Sequence, residues 1–142
     1  MIVVDASVAV KWFVAEADSE TALTLFRSSS VLMCPDHAFG EIGEVLVRSC
    51  RRGRLTRDDV RRANDAIAGR LAFRSPLPLI DLATGIALGA AISFYDALYV
   101  AAADRWHLPL VTADARLVAS VAGTPWQRCV VLLSAWRGER EP

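Results

Sequence analysis

Apolar positions follow two rhythms in this chain, and the rhythms alternate. Short β-branched or aliphatic runs read as strands buried on both faces, and segments with apolar residues at i, i+3 and i+4 read as helices packed on them. Ile2-Val3-Val4 opens the chain as a strand, followed by a short helix over 6–13 and a second over 19–28. Val31-Leu32-Met33, closed by Pro35, is the next strand. From Asp36 to Arg52 the positions Ala38, Ile42, Val45, Leu46 and Ser49 keep helical spacing, and Gly53 stops that helix. Thr56 reads as the N-cap of a helix from Arg57 to about Leu71, with Asp58 and Asp59 suited to its positive end.

Pro76 and Pro78 then break the chain, leaving Leu79-Ile80 as a strand stub. The pattern predicts helices over 81–91 and from Ser93 to about Trp106, a strand at 109–112, a helix at 115–121 and a last strand at 129–133. Strands alternating with helices specify an α/β fold whose parallel sheet is covered on both faces. In such sheets ligands bind outside the carboxyl ends of the strands. Strand-end residues are therefore the first place to look for chemistry.

Composition narrows the class. The chain has 142 residues, of which 54% are hydrophobic types and 23% charged, which suits one globular domain over 1–137 with a frayed tail at 138–142. Sixteen bases balance sixteen acids, so a uniformly basic nucleic-acid binder is excluded. Cys34, Cys50 and Cys129 are odd in number and widely spaced, which suits a reducing compartment better than a disulfide framework. The opening residues lack the basic stretch of a signal peptide. The longest uncharged run, Leu82 to Tyr95, is 14 residues and too short for a membrane span. The expectation is a cytoplasmic protein with no membrane association.

Three carboxylates fall at the predicted ligand edge. Asp5 follows the first strand, Asp114 follows the strand ending near Thr112, and Asp96 begins the helix leading into that strand. Each alone reads equally well as a helix cap, with Ser93 and Asp96 spaced as a capping box. A cap and a ligand are also compatible, since both need a carboxylate at a helix start. Glu41 and Glu44 share a face of the long helix. Glu44 has an ordinary partner in Arg48 at i+4. Glu41 has no charge partner nearby in sequence and sits among Phe39, Ile42 and Val45. Clustered acids repel one another, and a hard divalent cation such as magnesium or manganese removes that cost. His37 and His107 are not spaced as a metal pair, so zinc is not indicated.

These segments carry a resemblance. Ile2-Val-Val-Asp5-Ala-Ser7, Glu41 within Pro35-Asp-His-Ala-Phe-Gly-Glu-Ile, Tyr95-Asp96-Ala-Leu-Tyr-Val-Ala-Ala-Ala103 and Leu108-Pro-Leu-Val-Thr-Ala-Asp114-Ala-Arg-Leu117 resemble the PIN-domain ribonucleases. Within them, the VapC-type toxins of toxin–antitoxin pairs are the nearest in kind. The likeness runs in family order from position 1 to about 133 and implies a three-layer α/β/α fold around a mostly parallel sheet of about five strands. It implies a Mg²⁺- or Mn²⁺-dependent endoribonuclease in which Asp5, Glu41, Asp96 and Asp114 are the catalytic acids. Asp5, Asp96 and Asp114 would hold the ion directly or through water, with Glu41 positioning or activating the attacking water; Glu41 and Glu44 are further candidate ligands. Ser7 and Thr112 match supporting hydroxyl positions. Glu44 stands where these toxins usually carry Asn. The resemblance also implies homodimers and a small antitoxin that sends a basic side chain into the acid cluster.

Nine arginines lie between Arg48 and Arg74 against three acids, a local charge of +6 in a neutral chain. Arg48, Arg51, Arg52 and Arg54 are the candidate RNA contacts, because a guanidinium can give two hydrogen bonds to one phosphate. A solvated helix laced by Asp58–Arg61 or Asp58–Arg62 pairs is an equal reading. Trp12, Phe13 and Val14 read first as core and second as partner contacts; Trp106, Trp126 and Trp136 read as packing. Aspartyl-phosphate enzymes and phospho-receivers want further residues that are missing, since position 7 is Ser and the only lysine is Lys11. An RNA-processing PIN nuclease outside any toxin system and a non-catalytic PIN binding module are the remaining alternatives.

Overall fold

The computed structural model describes residues 1–138; the tail expected to fray lies mostly outside the described residues. Five strands form one sheet: β1 (Ile2–Val4), β2 (Leu32–Pro35), β3 (Leu71–Arg74), β4 (Leu110–Thr112) and β5 (Val130–Leu132). All four strand pairs are parallel, in the order β3-β2-β1-β4-β5. Val3 and Val4 register with Leu110 and Val111 on one side, and Ile2 and Val3 with Leu32 and Met33 on the other. The chain moves outward from β1 through β2 and β3, then crosses back to β4. The strand order therefore reverses at the β1–β4 boundary, where such sheets open a crevice at their carboxyl edge.

Seven α-helices among the described residues accompany the sheet: α1 (Ala6–Ala9), α2 (Ser19–Arg27), α3 (Ala38–Arg51), α4 (Arg57–Arg70), α5 (Ile80–Ala90), α6 (Phe94–Trp106) and α7 (Ala115–Val121). Helix α6 is the central one, with every residue from Ala97 to Ala103 buried. Its alanines let it lie close to β1 and β2, and this middle stretch shows no face to solvent. No helix among the described residues is long and apolar enough to cross a membrane.

Three expectations differ from what forms. The strand stub at Leu79-Ile80 is a 3₁₀ turn, Leu77–Leu79, running into α5 at Ile80. Pro78 lacks the N–H a ladder needs, and Pro76 starts a turn instead. The remaining strand is Leu71–Arg74, where the spacing predicts a helix end; Leu71 continues the helical spacing of Ala63 and Ile67, which hides the change. The helix expected over 6–13 keeps α geometry only to Ala9, then tightens to 3₁₀ over Val10–Trp12. Elsewhere the local signals hold. Thr56 and Asp59 form a reciprocal capping box, and Gly53 takes a left-handed φ of 74° just past α3.

Candidate active site

Asp5 is placed by two demands met together. The strand β1 ends at Val4, so the next side chain leaves the sheet at its carboxyl edge. There its carboxylate caps α1, accepting from the Ser7 N–H at 3.1 Å. The Thr112 hydroxyl, from the end of the adjacent β4, donates to Asp5 Oδ2 at 2.6 Å. Thr112 Oγ1 in turn accepts the Asp114 N–H at 3.0 Å, and Ser7 Oγ accepts the Ala113 N–H at 3.0 Å. Thus Ser7 and Thr112 stitch the ends of β1 and β4 together beneath the acids. Asp5 is only 5% exposed, and burial raises its pKa to about 6, opposed by the Thr112 and Ser7 bonds.

Asp114 caps α7, accepting from Arg116 and Leu117 N–H at 2.8 and 3.4 Å. Asp96 is not the cap of α6; Ser93 is, taking the Asp96 N–H at 3.1 Å. The Asp96 carboxyl is half-buried. Its pKa is raised first by burial and then by Asp114 and Glu41, with Ser93 and His37 opposing. Asp5 and Asp114 are thus caps as read, the Ser93–Asp96 spacing forms the Ser93 half of a capping box, and capping does not remove these acids from the site.

Helix α3 brings Glu41 and Glu44. Glu41 is not isolated as its neighbours in sequence suggest. The Tyr99 hydroxyl donates to its Oε1 at 3.2 Å, and His37 Nε2 lies 3.1 Å from the same oxygen. Its side chain is 40% exposed, so desolvation is milder than expected, and Phe39 turns to solvent against Phe73 rather than covering it. His37 and Tyr99 join the site without having been candidates. The only signals for them in the sequence are positions: His37 is one turn before Glu41, and Tyr99 is three residues after Asp96.

Asp5, Ser7, Glu41, Glu44, Arg48, Asp96 and Asp114 line one open cleft of about 390 Å³ at the β1–β4 switch. The four principal acids of the sequence pattern are therefore brought together, and Glu44 joins them. No ion pair ties Glu44 to Arg48 among the described residues; both side chains are exposed at the cleft. Arg51 and Arg57 line a separate groove with Val47, Cys50 and Val60, while Arg54 donates to the Ala15 carbonyl. Arg52 is exposed. The helix pairs are Asp58–Arg61 and Asp59–Arg62, so Arg62 takes Asp59 rather than Asp58. Arg70 leaves the basic surface altogether. It donates to the carbonyls of Phe26, Ser28 and Ser30 at 2.7, 3.1 and 3.0 Å, tying α4 to the segment before β2. Trp12 is core, its indole N–H donating to Ala22 O at 2.9 Å.

The donor set fits a hard divalent cation. Its donors at the cleft are oxygens, five carboxylates and the Ser7 hydroxyl, and two of the carboxyls, Asp5 and Asp96, are biased toward protonation by burial and by neighbouring acids. Among the described residues no three such side chains are placed as a ready-made metal site.

Comparison with known proteins gives this arrangement a class. The PIN-domain family model matches residues 2–123. Ribonuclease VapC1 of Mycobacterium tuberculosis is 30% identical over 118 residues, covering 83% of this chain and 89% of its own length. The chain belongs to the PIN-domain family and, within it, to the VapC ribonucleases. Two solved structures share the fold at low identity. PAE2754 from Pyrobaculum aerophilum has a TM-score of 0.70 at 22% identity, over 94% of this chain and 89% of its own. A toxin–antitoxin complex from Klebsiella pneumoniae has 0.67 at 16%, over 94% and 98%.

Proposed function

We propose that this protein is the endoribonuclease toxin of a toxin–antitoxin pair and cuts RNA with Mg²⁺ or Mn²⁺ held at the acid cleft. The observation carrying the proposal is the convergence of Asp5, Glu41, Asp96 and Asp114, from four separated segments, on one open cleft at the switch point of the sheet.

Asp5, Asp96 and Asp114 are the residues to hold the cation, with Glu44 adding charge at the rim. Bound there, the ion supplies Lewis-acid stabilisation of the phosphate and a more acidic water. Glu41, lining the same cleft from α3, orients the attacking water and accepts its proton. Thr112 and Ser7 fix the Asp5 carboxyl in place, the Ser7 N–H on one oxygen and the Thr112 hydroxyl on the other, and each oxygen keeps a further lone pair for the cation. Arg48, from the same helix as Glu41 and Glu44, meets a phosphate of the bound strand, with the exposed Arg51 and Arg52 at the end of α3 as further basic contacts. Hydrolysis leaves a 5′-phosphate and a 3′-hydroxyl.

The antitoxin reading draws support from a groove of about 550 Å³ in which Trp12, Phe13, Phe26 and Leu55 lie beside the Asp59–Arg62 pair, a mixed lining suited to an amphipathic segment. A basic side chain of that partner would neutralise the acids in place of the metal. Homodimerisation belongs to the same reading, and the exposed apolar side chains Phe39, Leu77 and Leu88 are the positions at which to probe it. The test is digestion of total RNA by purified, antitoxin-free protein with magnesium, manganese or chelator. Cuts appearing only with metal and bearing 5′-phosphates support the proposal; no cuts by folded protein in either metal overturn it.

A further inference from the structure

Tyr99 has no exposed surface, yet it keeps a polar group that a phenylalanine would spare the core. That hydroxyl makes two bonds, and they run in a fixed sense. It accepts the Ala6 N–H at 3.4 Å and donates to Glu41 Oε1 at 3.2 Å. A phenol has a single proton to give, so with the backbone donor on one side that proton points at the carboxylate. Burial and the nearby acids raise the Tyr99 pKa, so the group remains a donor throughout the physiological range. His37 closes the other side. Its ring centroid lies 4.6 Å from that of Tyr99, and its Nε2 sits 3.1 Å from the same Glu41 oxygen.

We infer that Tyr99 is a positioning residue of the nuclease: its hydroxyl fixes Glu41 Oε1 to the start of α1 and so keeps the other carboxylate oxygen turned into the acid cleft. A glutamate side chain this exposed otherwise samples several rotamers, and fixing one costs conformational entropy that the hydroxyl bond offsets. Three elements meet in that single group. Tyr99 is on α6, one turn beyond Asp96; Ala6 follows Asp5; Glu41 belongs to α3. The phenol thus ties Glu41 to the start of α1 from a third element, beside the His37 contact and the packing of α1 on α3.

The inference rests on the nuclease reading above, and its test separates the two. Tyr99→Phe keeps the ring and removes only the hydroxyl. It should lower the single-turnover cleavage rate about tenfold, the effect of one hydrogen bond to a charged group, with KM for RNA unchanged. In a Glu41→Gln background the same change should cost less than twofold, because the group it positions is already lost. Relaxation of a ¹³C-labelled Glu41 side chain, read without metal or RNA, should report greater mobility in Tyr99→Phe. Equal rates for wild type and Tyr99→Phe overturn the inference, as does the same loss in both backgrounds, which marks a general structural role. A wild-type chain that cuts no RNA defeats the nuclease reading, and the relaxation measurement still decides the positioning.

Discussion

Asp5 is the acid whose placement costs the fold most, and the cost can be measured. Its carboxyl is 5% exposed and its pKa is raised from 3.8 to about 6. The folded state therefore holds the Asp5 proton more firmly than the unfolded chain does. The associated stability is fully present below about pH 4 and is lost as pH rises through about 6. A shift of roughly two units corresponds to about 3 kcal/mol. Asp5→Asn resembles the protonated side chain, still accepts the Ser7 N–H and does not ionise. In chelator, the stability of Asp5→Asn relative to wild type should rise by about 3 kcal/mol between pH 4 and pH 8, or roughly 10 °C in Tm for a chain of this size. Urea unfolding of both proteins at half-unit pH steps measures the difference, and titrations common to both, such as that of Asp96, largely cancel in it. Adding Mn²⁺ at pH 8 should then raise the wild-type midpoint more than that of the variant. A relative stability that does not change with pH would refute the argument that Asp5 is a desolvated carboxylate kept for function.

Arg70→Ala should lower stability by about 2 kcal/mol, since it strands several carbonyls that now share one guanidinium; thermal melts measure this, and cleavage by the folded fraction should be unchanged. Replacing Arg48, Arg51 and Arg52 together by Gln should weaken RNA binding across unrelated sequences. It should also flatten the plot of log K against log salt by about 0.7 for each phosphate no longer neutralised, read by fluorescence anisotropy at several salt concentrations. An unchanged slope would assign those arginines to solvent.

Much of this molecule is written locally. β1, β2, β4, β5 and all seven helices follow from runs, spacing and caps, with signals such as Thr56, Gly53 and Pro35 marking several bounds; only the ends of α1 and α4 are overrun. The acids are legible for a related reason: a carboxylate directly after a strand in a parallel sheet has one edge at which to emerge. What stays hidden is non-local. β3 is four residues long and continues the spacing of the helix before it, so only pairing with β2 makes it a strand. Tyr99 reaches Glu41 across element boundaries, 58 residues apart, and no periodicity reports that meeting, whereas His37 stands one turn before Glu41 at the start of the same helix. Arg70 reads as one more surface base because its carbonyl partners lie 40 or more residues upstream.

The central claim is that the clustered carboxylates hold the ion for phosphodiester hydrolysis. Single-turnover RNA cleavage by Asp96→Asn and Asp114→Asn beside wild type, in saturating Mn²⁺ and with circular dichroism as the check on folding, tests it most directly. The account predicts a loss of at least about 100-fold in each variant, the upper end of what removing even a supporting group of a metal site costs, with native spectra retained. Folded Asp96→Asn cutting at the wild-type rate would contradict it.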